Sequence, residues 1–227
     1  MLEMKNYAIL LLIVLTVFAC KKDDAVIVEP PAPAPLSVYI PMEVGNYWVY
    51  QNFKVENTGE TPMDQFDSIA ITRDTIIRDH RYFIFEGINN QIPSSMMRIL
   101  RDSSGYYVYS DGRIYFSDQI NNKEVYFEHI STAQEITDTV WYLKQYNEEV
   151  ENQISFPIGS YKVRNKISDF TIFPQEPNFA DTLKYRKANN YFIEDIGQAS
   201  YSIFYAQANF HYDKRLVRYQ IVTMIED

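Results

Sequence analysis

The stretch YYVYSDGRIYF, residues 106–116, decides how the rest of the chain is read. Aromatic and β-branched residues lie on both sides of Asp111-Gly112, a pair that accepts positive φ at both centres of a two-residue turn. This reading pairs Ser110 with Arg113 and sets Tyr109 opposite Ile114. The stretch is a β-hairpin, and it sets the class of the segments around it.

Moving outward, the same grammar recurs. NYWVYQNFKV (46–55) is a strand led in by Pro41 and Gly45. DSIAITRDTIIR (67–78) places Ile69 and Ile71 on one parity, and a turn at Asp79-His80 leads into RYFIFEGI (81–88). MRILRD (97–102) precedes the hairpin, and EVYFEHI (124–130) follows it after Asn121-Asn122. Further strands are expected at 139–144, 161–173, 181–188, 198–206 and 215–223, with one helical turn at NEEVENQ (147–153). With 19 Tyr and 14 Phe against 7 Gly, the composition suits half-buried strands. About ten consecutive, short-looped strands predict an all-β antiparallel meander. That many strands must curl, into an open barrel or a two-layer sandwich.

The N-terminus is organised differently. Residues 7–19 are apolar apart from Tyr7 and Thr16, and Lys5 precedes them. Thirteen helical residues span about 20 Å, short of a ~30 Å hydrocarbon core, so a secretory signal fits better than a membrane span. Met4 offers a cleaner start than Met1. Three segments follow: a signal peptide (1–19), Cys20 with a Pro-rich linker (20–38), and one β domain (39–227). Pro30, Pro31, Pro33 and Pro35 favour extended polyproline geometry in the linker.

Val17-Phe18-Ala19-Cys20 resembles a bacterial lipobox, which implies diacylglyceryl transfer to the Cys20 thiol and cleavage before it. The competing reading is a buried structural cysteine. More than one acyl chain anchors a protein stably, at about 0.8 kcal/mol per buried CH₂. Cys20 is the one cysteine in the chain, so an exported fold would stand without disulfides. Lys21, Lys22, Asp23 and Asp24 resemble the lipoprotein export signal of the Bacteroidota, which implies the outer face of the outer membrane. A solvated charged tether on the periplasmic side is the alternative. IPMEVGNYWVYQ (40–51) resembles the opening of secreted lipoproteins of that phylum. YFIEDIGQASYSI (191–203) resembles their Gly-Ile-Gly-x-Val turn, with Asp195 in place of the first Gly, and RLVRYQI (215–221) resembles their last strand. The resemblance implies a fold and no activity.

The search for chemistry yields exclusions. A net charge of −9 repels phosphate backbones, so no nucleic-acid partner is expected. His80, His129 and His211 have no ligand spacing, and no metal or other cofactor is expected. No Gly-x-Ser-x-Gly, phosphate loop or calcium loop is present. Glu148, Glu149, Glu151, Glu194 and Asp195 supply carboxylates, which a hydrolase would have to oppose across a cleft. Trp48, Tyr50, Trp141 and Tyr142 are candidates for stacking on a ligand, or for packing a core. The expected protein is a membrane-tethered, non-enzymatic β domain that binds an envelope protein, glycan or lipid. The alternatives are a lipid or lipoprotein carrier with an apolar cavity and a carboxylate-dependent hydrolase.

Overall fold

Strands make up most of the described residues beyond 46 in the computed structural model, which describes residues 38–89, 92–120, 123–132, 139–173, 183–205 and 208–222. The expectations for the signal segment, for Cys20 and for Lys21, Lys22, Asp23 and Asp24 fall outside these residues. The strands are β1 (Tyr47–Glu56), β2 (Gly59–Ile77), β3 (His80–Asn89), β4 (Ile92–Ser103), β5 (Tyr106–Tyr109), β6 (Ile114–Ser117) and β7 (Val125–Thr132). Then come β8 (Thr139–Glu149), β9 (Ile154–Phe156), β10 (Gly159–Tyr161), β11 (Arg164–Ile172), β12 (Tyr185–Ile193), β13 (Gly197–Phe204) and β14 (His211–Gln220).

Twelve of these form one antiparallel sheet in the order β6-β5-β4-β3-β2-β1-β14-β13-β12-β11-β8-β7, and β9 and β10 form a separate hairpin. Each half is a meander, and the pairing of β1 with β14 joins the halves. The strand count therefore exceeds the expected ten. NEEVENQ is not helical; residues 147–149 continue β8.

Chain connectivity forces the sheet to curl. Its two edges, β6 and β7, are consecutive in sequence. Twelve strands laid flat would separate those edges by about 53 Å at ~4.8 Å per step. The intervening residues 118–124 reach at most about 28 Å. The sheet closes almost fully into a barrel, the open-barrel and not the two-layer form of the curl expected from its strand number. No ladder joins β6 to β7, and side chains cross the gap. Asn147 Nδ2 donates to Ser117 O at 2.5 Å, Lys166 Nζ donates to Tyr115 O at 2.6 Å, and Phe116 stacks on Phe192 at 4.1 Å.

The hairpin at 106–116 is present with a shifted register. Val108, not Tyr109, opposes Ile114. Gly112 has φ +88°, while Asp111 keeps negative φ. Tyr109 N donates to Arg113 O at 2.9 Å, and Gly112 N donates to Tyr109 O at 2.9 Å, which makes a three-residue loop. Asp111 favours this loop because its carboxylate accepts from Arg113 N at 3.0 Å and from Arg113 Nε at 2.7 Å. Similarly, the turn into β3 uses Arg78 and Asp79, both at positive φ, and His80 already pairs with Ile77.

The core explains the two motifs near the domain ends. Trp48 on β1 donates Nε1 to Ile196 O at 2.6 Å. A Cβ on Gly197 would lie 3.0 Å from that nitrogen, so the indole requires glycine there, and Gly197 also sits at φ +112°. Asn46 ties both ends together: its Nδ2 donates to Pro41 O at 3.1 Å, and its Oδ1 accepts from Val222 N at 2.6 Å.

Candidate functional site

The four candidate stacking aromatics divide by burial. Trp48 and Tyr50 lie in the core at 3% and 1% exposure. Trp48 packs on Phe85, and Tyr50 donates its hydroxyl to Gln198 O at 2.8 Å with its ring against Tyr201. Burial, with some help from Tyr201, pushes the Tyr50 phenol well above its usual range. No ring face is left for a ligand, which corrects the stacking expectation for this pair. Trp141 is half-buried, between His129 at 5.0 Å and Phe170 at 5.9 Å. Tyr142 projects to the opposite face of β8.

That face carries two ordered rows. Register sets Ile130, Tyr142, Thr171 and Tyr185 opposite one another across β7, β8, β11 and β12. Two residues along each strand, Glu128, Lys144, Asp169 and Lys187 form a second row of alternating sign. Cross-strand neighbours of opposite charge stabilise one another, so the row supports itself without a ligand. Tyr185 is 72% exposed and Ile130 59% exposed. Between the rows runs a groove of about 460 Å³, lined by Tyr142, Lys144, Asp169, Phe170, Tyr185 and Lys187 among others. That volume is typical of small-ligand sites.

The polar groups of the groove are held in place. Tyr146 donates to Asp169 Oδ2 at 2.7 Å, and burial together with this acidic partner pushes its phenol up to about 12. Lys187 pairs with Glu148 at 3.0 Å. The hydrogen bond to Glu128 raises the Tyr142 phenol. Lys144 Nζ lies 5.5 Å from the Tyr142 ring centroid. Within a strongly acidic chain, this patch is close to neutral.

A second polar cluster lies inside the barrel. Arg98 Nη1 donates to Tyr115 Oη at 2.6 Å and, at 3.4 Å, to Gln198 Oε1. Tyr115 in turn donates to Gln198 Oε1 at 3.0 Å. Lys166 Nζ lies 4.6 Å from the Tyr115 ring centroid, and burial, then the charge of Arg98, brings its pKa down to about 7. Lys214 pairs with Asp67 and donates to Asn52 Oδ1 at 3.0 Å. An amine titrating near neutrality is suited to proton transfer, but the adjoining cavity of about 20 Å³ has room for roughly one water. No organic substrate fits there. Sequence reasoning missed these interior cations because a lysine in a strand reads as solvent-facing.

The remaining candidates do not converge. His211 Nε2 lies 3.3 Å from Asp213 Oδ1, the oxygen that Ser202 also donates to at 2.7 Å. Burial would raise the Asp213 carboxyl, but these hydrogen bonds outweigh it and hold it low. Ser202 thus bonds to the acid and not to the imidazole, so no base is positioned to activate it. Glu149, Glu151, Glu194 and Asp195 are exposed, and Asp195 lies in a tight turn at φ 60°. Among the described residues, no three His, Cys, Asp or Glu side chains are placed to hold a metal ion.

Neither a family model nor a curated protein matches the chain. Solved structures do. A Bacteroides fragilis protein described as exported and as having a YmcC-like fold superposes with a TM-score of 0.50 at 10% identity, over 81% of this chain and 99% of its own. A Parabacteroides distasonis protein described as a lipoprotein gives a TM-score of 0.48 at 8% identity, over 81% and 99%. The first likeness shows the fold: this is a barrel of the YmcC-like type.

Proposed function

We propose that this chain is a lipid-anchored, non-enzymatic envelope protein whose barrel presents a glycan-binding groove on the outer face of β8, β11 and β12. The carrying observation is the row Ile130, Tyr142, Thr171 and Tyr185 beside the charge row Glu128, Lys144, Asp169 and Lys187. Flat phenol faces next to fixed donors and acceptors, with little local net charge, suit a neutral ligand with an apolar ring face and polar edges. A sugar ring has both.

The anchor rests on the lipobox-like Val17-Phe18-Ala19-Cys20, and surface display on Lys21, Lys22, Asp23 and Asp24. The Bacteroides fragilis protein of the same fold is described as exported, which agrees with an envelope address. A lipid carrier needs an interior void, whereas Leu100, Phe116, Phe192 and Leu216 fill this interior. A hydrolase needs facing carboxylates, whereas Glu148 is paired to Lys187 and Asp169 accepts from Tyr146.

The test is an array of neutral oligosaccharides probed with the chain from residue 21 onward, beside a Tyr142→Ala/Tyr185→Ala variant. Binding that disappears in the variant supports the reading. Equal binding by both, or none by either, sinks it.

A further inference from the structure

We infer that a second groove, beside residues 38–43 and 221–222, docks a protein partner through a segment of aliphatic side chains flanked by Lys or Arg. The groove measures about 850 Å³ and shares no lining residue with the one on β8, β11 and β12. Ile40, Met42, Phe83, Ile221 and Val222 supply much of its apolar wall, and Val222 is 38% exposed. One wall is fixed in advance. Asp195 N donates to Val38 O at 2.7 Å, and the Tyr107 hydroxyl accepts from Tyr39 N at 2.9 Å and Ile40 N at 3.2 Å. A preformed apolar surface ringed by polar groups is how docking sites are built.

The rim names the chemistry of the partner. Glu43, Asp102 and Asp195 stand around the groove. Among the described residues, no Lys, Arg or His is ion-paired with any of the three. Every Lys and Arg after Lys22 is a described residue, so the segments at 23–37 and 223–227 bring no cation to the rim. Arg81, the one cation lining the groove, pairs with Asp74 at 2.6 Å and lies over the Phe83 ring at 4.6 Å. A concave surface lined by one sign of charge focuses its field on the opposite sign. Anionic lipid headgroups and fatty acids are repelled there. A second copy is disfavoured too, because its net charge is −9 and a two-fold contact would set acid against acid. The residues beyond Val222, Thr223-Met224-Ile225-Glu226-Asp227, add two further carboxylates. An aliphatic segment with flanking cations complements both the wall and the rim.

The experiment is fluorescence anisotropy of the chain from residue 21 with a labelled peptide of alternating Lys and Leu, beside peptides with Glu for Lys or Ser for Leu. The Lys-Leu peptide should bind, the other two should not, and salt should weaken the binding. Asp102→Asn/Asp195→Asn should weaken it about tenfold. Asparagine keeps the oxygen that accepts from Gly105 N at 2.9 Å and tolerates the φ of 60° at position 195, so this variant should fold. Glu124→Gln/Glu151→Gln removes the same charge elsewhere and should change little. Methyl resonances of Met42, Ile221 and Val222 should shift with added peptide. No binding, equal binding of the Glu-Leu peptide, or equal losses in the two double variants would overturn the inference. So would uptake of phosphatidylglycerol vesicles in place of the peptide, methyl shifts that follow protein concentration alone (a second copy), or binding seen only after residues 223–227 are removed.

Discussion

Lys166 on β11 donates Nζ to the carbonyl oxygen of Tyr115 on β6, at 2.6 Å, along the strand edge that no neighbour pairs. Two residues further along β6, Asn147 from β8 does the same for Ser117. Side chains thus stand where ladder hydrogen bonds would close the barrel. Two carbonyls on the free edge of β6 are thereby satisfied, which blunts an edge otherwise open to pairing.

Asn147→Ala leaves the Ser117 carbonyl buried without that donor. The expected cost is about 1–3 kcal/mol in urea unfolding. Amide exchange should quicken in β6 and not in β1. Equal protection of β6 in both proteins would show that the seam does not depend on this side chain.

Lys166 makes stability depend on pH, with a sign that can be worked out. Its pKa falls from 10.5 in the unfolded chain to about 7 in the fold, chiefly through burial and then through Arg98. The groups around it are Arg98 on β4, Tyr115 on β6, Asn147 on β8 and Asn190 on β12. Between about 7 and 10.5 the unfolded chain binds the extra proton, so stability rises with pH across that window. The contribution is fully present above 10.5 and is lost as pH falls through 7. The limiting slope is about 1.4 kcal/mol per pH unit. Urea midpoints at pH 7, 8 and 9 should climb, and Lys166→Met should flatten the rise. A flat wild-type profile would show that the ammonium stays charged in the fold.

Gly197→Ala tests the junction of the two motifs. A Cβ would crowd Trp48 Nε1 at 3.0 Å, on a backbone at φ +112°. The expected loss is about 2–4 kcal/mol, from strain plus overpacking. Gly112→Ala, at φ +88° with no atom within 4 Å of the added carbon, should lose only about 1 kcal/mol. Chemical denaturation of the pair gives the comparison, and equal losses would remove the special role of Trp48.

Anchoring predicts a covalent mass. The mature chain should begin at Cys20 and carry a diacylglyceryl group, and Cys20→Ala should release the protein from membranes. A mature mass with a bare thiol at Cys20 would contradict the anchor.

The sequence made the strands legible where a single strand alternates by itself. Trp48, Tyr50 and Asn52 inside β1 are one such case, and Ile69 and Ile71 in β2 are another. Consecutive short loops likewise signalled a meander that curls. The β9–β10 hairpin was missed because three-residue strands, ISF and GSY, show no period. The pairing of β1 with β14 joins residues more than 150 positions apart, which local pattern cannot register. The same limit applies to the site. Trp48 and Tyr142 look alike within their own strands, and only cross-strand register and sheet closure put one in the core and the other in the groove. Lys166 and Lys214 were unreadable because the partners that make burial tolerable, Tyr115 O and Asp67, come from distant strands.

The most direct test of the central claim is the binding isotherm of the chain from residue 21 on neutral oligosaccharides, beside Tyr142→Ala/Tyr185→Ala. Wild type should bind, and the double variant should bind at least about tenfold more weakly with an unchanged Tm. A folded wild type that binds no neutral oligosaccharide, or a variant that binds as tightly, would contradict the account.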